Sequence, residues 1–200
     1  MNEQEINEFS TEVFKANLDK GWWDDLHRPI LQVCQLISSE LAEATEGFRT
    51  GVMDNHVKSR LSEEVELGDA LIRTLDLGGR YKLQFHSPDS EFFNELRKKR
   101  FLELASLIDD QSDVVSCHFV LNKALTDFGM CLYFIILKYG EKDIPDIVHE
   151  RYSILVQLII SVSKKFKYDL FGAVFEKFEV NKVRPDHTRE ARAGKHGKKC

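Results

Sequence analysis

The chain is poor in residues that break helices. Four prolines and eleven glycines in 200 residues are too few for a turn-rich β-sandwich or a disordered chain. Long helices with short connections fit better. The four cysteines (Cys34, Cys117, Cys131 and Cys200) show no C-x-x-C spacing. That excludes a zinc ribbon and gives no sign of a disulfide framework, so reduced intracellular thiols are expected. Long apolar runs are lacking too. The greasiest stretches, GMCLYFIILKYG and YSILVQLIISVS, are roughly ten to twelve residues long, against the ~20 needed to span a bilayer. The N-terminal MNEQEINEFS is polar and has no signal-peptide core. A soluble, cytoplasmic protein without a membrane partner is expected.

Net charge is −5, unevenly spread. Residues 181–200 (NKVRPDHTREARAGKHGKKC) carry +5, which leaves −10 on the remaining 180. An acidic body argues against DNA or RNA as a partner. It suits a site that collects divalent cations beside a cationic strip that meets phosphates.

Apolar positions recur at helical spacing almost throughout. Ile6, Phe9, Val13, Phe14 and Leu18 mark a first helix ending near Gly21. Pro29 starts a second, running to about Arg49. The third spans about Lys58 to Leu77, with Gly78-Gly79 as its stop. Ser87-Pro88-Asp89 looks like a helix start. Apolar-periodic segments follow at about 90–110, 113–139 and 145–165, and a last helix runs from near Asp169 to Arg184, before Pro185. The fold class is all-α, a multi-helix bundle.

Two of these helices carry acids where apolar residues belong. At 100° per residue from Ile37, Val33, Leu41, Ala44 and Phe48 form the apolar face of the second helix. Glu40 lies about 60° from its centre and Glu43 at its edge, while Glu46 points away. On the third helix, Glu66, Asp69, Arg73 and Asp76 form one ionic line along the apolar face. Gly68 lies inside that helix, where glycine costs ~1 kcal/mol relative to alanine. A neighbouring backbone or a ligand must therefore come close there. Buried carboxylates must be paired or bind a metal, and hard oxygen ligands suit Mg²⁺ or Mn²⁺. A di-iron carboxylate bundle would need Glu-x-x-His pairs; the sequence has none.

The arrangement Glu40-Leu-Ala-Glu43, a spacer of 22 residues, then Glu66-Leu-Gly-Asp69 resembles the MazG-like nucleotide pyrophosphohydrolases. So do KGWWDD before the first pair and the ending NKVRP…KHGKK, which is similar to that of phage and bacterial members. The resemblance covers roughly residues 5–80 and 168–199. It implies a four-helix catalytic core from residues 1–80 and 168–200, with residues 81–167 as a helical insertion packed on it. It also implies cleavage of a nucleoside triphosphate between the α and β phosphates, with Glu40, Glu43, Glu66 and Asp69 holding Mg²⁺; Asp76, on the same ionic line of the third helix, is a candidate fifth ligand that the motif by itself does not name. Asn181, Lys182, Arg184, Lys195, His196 and Lys198 would meet the triphosphate, with Arg73 as a further phosphate ligand or an ion-pair partner of Glu66 or Asp76. Trp22 and Trp23 could stack on a base or staple the first helix to the second. Compact members recruit a partner subunit. The insertion could replace it as a pseudo-dimer, or the protein forms a homo-oligomer. Two other functions share these features: a non-catalytic nucleotide-sensing or protein-interaction module, and a phosphoribosyl-ATP pyrophosphatase.

Overall fold

Among the residues described by the computed structural model (1–25, 28–108 and 112–193) there are eight α-helices and no strand. The architecture is an all-α multi-helix bundle. Helix α1 (Glu3–Asp19) opens on a capping box in which Asn2 Oδ1 accepts the Glu5 N–H and the Glu5 carboxylate accepts the Asn2 N–H. Helix α2 (Ile30–Thr50) follows Pro29, and α3 (Ser62–Arg80) follows a loop. Then come α4 (Glu95–Ala105), α5 (Val114–Tyr139) and α6 (Asp146–Phe166). Helix α7 (Leu170–Val183) is capped by the Asp169 side chain, and Pro185–His187 and α8 (Arg189–Ala193) complete the described chain.

Three boundaries differ from expectation, each for a local reason. Helix α3 begins at Ser62, not Lys58, because Asp54 closes the preceding loop. Its carboxylate accepts the His56 and Val57 N–H groups at 2.8 and 2.6 Å, and Met53 bridges Leu61. Gly78 and Gly79 do not stop α3; they let it be touched on two sides. A Cβ on Gly78 would run into the Tyr152 hydroxyl, and one on Gly79 would lie 2.5 Å from the Ser10 carbonyl oxygen. Ser87-Pro88-Asp89 forms turns, and α4 starts later, where Asn94 accepts the Arg97 N–H. Tyr152 is fully buried and cannot retreat into solvent. Gly78→Ala should therefore cost about 1–3 kcal/mol of stability, read as an earlier midpoint in urea; an unshifted midpoint would mean Tyr152 has room to move.

Helix α3 is the hub, packed by α1, α2, α6 and α7, while α5 lies on α2 and α6. A continuous apolar core joins Ile37 and Leu41 of α2, Leu71 and Leu75 of α3, Leu121 and Phe128 of α5 and Leu155 and Ile159 of α6. Residues 81–167 thus share the core of the flanking helices. The stretch GMCLYFIILKYG falls largely in α5, whose 26 residues make it long and apolar enough to cross a membrane by length and composition. Phe119 and Leu137 on its outer face are 75% and 68% exposed.

Gly68 answers the question its position raised. A Cβ there would lie 3.4 Å from the Val174 backbone nitrogen. The close neighbour is the α7 backbone, and it is this approach that brings α7 side chains onto the acidic face of α3.

Candidate metal and anion site

Two carboxylates from α2 and two from α3 face one another, as the helical spacing requires. One oxygen from each of Glu40, Glu43 and Glu66 lies within 4.8 Å of the other two. Glu40 and Glu66 are buried and Glu43 is exposed. Asp69, one turn beyond Glu66, is buried as well. Like charges this close in a low dielectric repel strongly. Burial raises the Glu40 carboxyl above its ordinary range, opposed by Arg73 and reinforced by Asp69 and Glu43. Burial pushes Glu66 up to about 8, against the pull of Lys177 and with the charges of Asp69, Glu40 and Glu43 adding to the push.

Two cations answer this charge. Arg73 Nε lies 2.7 Å from Glu40 Oε1, so its close carboxylate is on α2 rather than the expected Glu66 or Asp76 of its own helix. Lys177 of α7, only 2% exposed, places Nζ 3.4 Å from Glu66 Oε1, 3.5 Å from Asp69 Oδ2 and 3.9 Å from Asp54 Oδ2. Burial opposes its charge, yet these three carboxylates hold the Lys177 ammonium above its ordinary pKa. Asp54 is itself held low: burial works against ionisation, but the Val57 amide, Lys177 and the His56 amide outweigh it.

Lys177 and Asp54 were not anticipated. The first had a signal, because Lys177 shares the apolar stripe of α7 with Leu170, Ala173, Val174 and Phe178. A lysine on such a stripe needs buried carboxylates across from it. Asp54 had none, because only the closure of the 53–61 loop brings it inward.

Beside the carboxylates opens a small cleft of about 90 Å³ lined by Lys20, Arg28, Arg73, Lys182 and Arg184 together with Asp69 and Asp76. Ala16, Trp22, Ile72 and Phe178 add apolar surface. The described end of the chain folds back to complete it. Arg189 anchors this segment to Asp24 at 2.7 Å and to the Leu18 carbonyl oxygen. Burial, and after it the nearby Arg184 charge, push the Lys20 ammonium down, opposed by Asp186. Asn181, one turn after Lys177, directs Nδ2 to Asp69 Oδ1 at 3.3 Å and so links cleft and cluster.

The remaining expected residues divide. Arg184 and Lys182 line the cleft while pairing with Asp186, and with Glu12 and Glu179, respectively. Trp22 lines it too, edge-on to His187 with centroids 5.4 Å apart. Trp23 does not: it is 1% exposed, and its Nε1 donates to Asp76 Oδ1 at 2.9 Å. It has no face for a base, and it ties the connection after α1 to α3 rather than stapling the first helix to the second. Asp76 is correspondingly engaged with Trp23 and Asn17, away from the Glu40–Glu43–Glu66 triad. Burial raises it to about 7, opposed by those two hydrogen bonds and by Arg28 and Arg73. Lys195, His196 and Lys198 lie outside the described residues. Trp23→Phe should cost about 1–3 kcal/mol by leaving the Asp76 oxygen without its donor. Nucleotide binding by titration calorimetry should change little, and a large loss of affinity would return Trp23 to the cleft.

No family model matches the chain, and no curated protein or solved structure shows significant similarity to it.

Proposed function

We propose that this protein is a Mg²⁺-dependent nucleoside triphosphate pyrophosphohydrolase of the MazG-like kind, cleaving ribo- or deoxyribonucleoside triphosphates to the monophosphate and pyrophosphate. The observation that carries this reading is the meeting of two opposed fields. A surplus of buried carboxylates abuts a cleft lined by five cations, and Asp69 and Arg73 belong to both.

The donor set fits the metal. Among the described residues, Glu40, Asp54, Glu66 and Asp69 pair with Arg73 and Lys177; with Glu43 counted and all five acids deprotonated, three negative charges are left for a divalent cation to offset. All the ligands are oxygens, as Mg²⁺ or Mn²⁺ requires. Mg²⁺ bound by Glu40, Glu43 and Glu66, with Asp69 alongside, would neutralise phosphate charge and lower the pKa of a bound water. The rest falls to the chain. Arg184, Lys182, Arg73 and Lys20 offset the triphosphate, Asn181 holds Asp69 in place, and the half-buried Trp22 offers apolar surface to the base. A cytoplasmic homo-oligomer, or a pseudo-dimer made through residues 81–167, belongs to the same proposal; sedimentation equilibrium distinguishes the two.

One observation favours a second reading. Lys177 and Arg73 already pair with the carboxylates, as they would in a nucleotide-binding module without chemistry. Pyrophosphate release from a panel of ribo- and deoxyribonucleoside triphosphates separates them. Release that needs Mg²⁺ and stops with EDTA is the expected result, with monophosphate as the co-product. Binding without release from any nucleotide would leave the non-catalytic reading standing.

A further inference from the structure

The carboxylates form two hollows that share Glu66. In the first, oxygens of Glu40, Glu43 and Glu66 converge within 4.8 Å. In the second, Glu66, Asp69 and Asp54 converge on one point, and the Lys177 ammonium stands there at 3.4, 3.5 and 3.9 Å. Carboxylate-rich sites for phosphate chemistry often hold two cations about 3.5–4 Å apart. We infer that Lys177 is a built-in second cation: it fills the Glu66–Asp69–Asp54 hollow and limits the site to one divalent ion, held by Glu40, Glu43 and Glu66.

Three features support this. The ammonium is nearly sealed from solvent, at 2% exposure, and does not line the cleft. It therefore acts through the carboxylates it holds, as a positioning residue. Its placement is fixed by the fold, because the α7 backbone at Ala173 and Val174 packs against α3 at Gly68, between Glu66 and Asp69. The charge arithmetic also discriminates. Once all five carboxylates are deprotonated, Lys177 and Arg73 leave three negative charges; one divalent ion leaves one, and a second would overshoot. Without Lys177 four remain, the charge of two divalent ions. A second ion at the Lys177 position would need the same Glu66 and Asp69 oxygens, at about 2.0–2.1 Å for Mg²⁺. Ion and ammonium cannot both occupy that hollow.

The inference rests on the proposed metal site, and its test reads metal rather than turnover. Mn²⁺ is titrated into the full chain at pH 8 and counted by calorimetry and electron paramagnetic resonance. Wild type should bind one Mn²⁺ per chain with an uncoupled spectrum. Lys177→Met, and Lys177→Gln in case the first does not fold, should bind two with the broadened spectrum of a coupled pair. Adding Asp54→Asn should remove the second ion. Two ions in wild type, or one ion in both folded Lys177 variants, overturns the inference. Wild type binding no Mn²⁺ overturns it together with the metal site beneath it. One ion in wild type and two in the variants, without pyrophosphate release from any nucleotide, sinks the catalytic reading and leaves the inference standing.

Discussion

Glu66→Gln should reduce pyrophosphate release by about 10³-fold or more while raising the melting temperature of the metal-free protein. The two effects share a cause. Glu66 belongs to both carboxylate hollows, and its ionised form is so disfavoured by burial and by Asp69, Glu40 and Glu43 that its pKa stands near 8. Glutamine keeps the shape and removes the charge. With Glu66 holding Mg²⁺ as proposed, its loss would remove several kcal/mol of transition-state stabilisation, and each 1.36 kcal/mol is tenfold in rate. In the metal-free protein at pH 8 and above, the same change removes a buried charge that Lys177 only partly offsets. A few kcal/mol of relief corresponds to roughly 5–10 °C in a chain of this size. Glu40→Gln and Asp69→Asn should act in the same direction on the rate. Glu46→Gln is the control: Glu46 is on the outer side of α2, paired with Arg49, and its side chain is 60% exposed. A Glu66→Gln protein with wild-type pyrophosphate release would end the catalytic reading, whatever its melting temperature.

Helical spacing alone directed Glu40 and Asp69 inward, because a 100° step per residue leaves little freedom once the apolar face is known. The all-α class was legible for the same reason, from periodic apolar positions and few breakers. What escaped was set by contacts between elements distant in sequence. Gly78 and Gly79 read as a helix stop, since glycine commonly ends helices; the bulk of Tyr152 and the Ser10 backbone instead make glycine necessary inside α3. Trp23 could be a base platform or a staple of the first helix to the second, and its burial and bond to Asp76 show a third arrangement, a tie to α3. Asp54 was invisible because a single loop carboxylate has no period. Lys177 was readable in principle, as a cation on the α7 apolar stripe, but its carboxylate partners lie more than a hundred residues earlier in the chain.

The metal-free protein should become more stable as pH falls from about 8 to about 5, and Mg²⁺ should stabilise it most where protons stabilise it least. Glu66 and Asp76 have native pKa values near 8 and 7, against ordinary values of 4.5 and 3.8. Between each pair of values the native state binds more protons than the unfolded chain, so unfolding free energy falls with rising pH across that window. The contribution of these two groups should level off well above pH 8 and below about pH 4, while the buried His118, pushed down to about 4, opposes it between about pH 4 and 6.5. Mg²⁺ needs the deprotonated oxygens and competes with the proton for Glu66. At a free concentration of 100 times its dissociation constant it adds about 2.7 kcal/mol, or roughly 5–10 °C in melting temperature at pH 8. The increment should shrink toward pH 5. Two variants separate the contributions. Glu66→Gln should lose most of the Mg²⁺ increment and part of the pH slope. Asp76→Asn should lose only part of the slope, because Asp76 is engaged with Trp23 and Asn17 rather than the metal triad. An Asp76→Asn protein that no longer responds to Mg²⁺ would show that Asp76 does bind the ion. A Mg²⁺ increment that stays constant from pH 5 to 8 would show that the ion binds away from these carboxylates altogether.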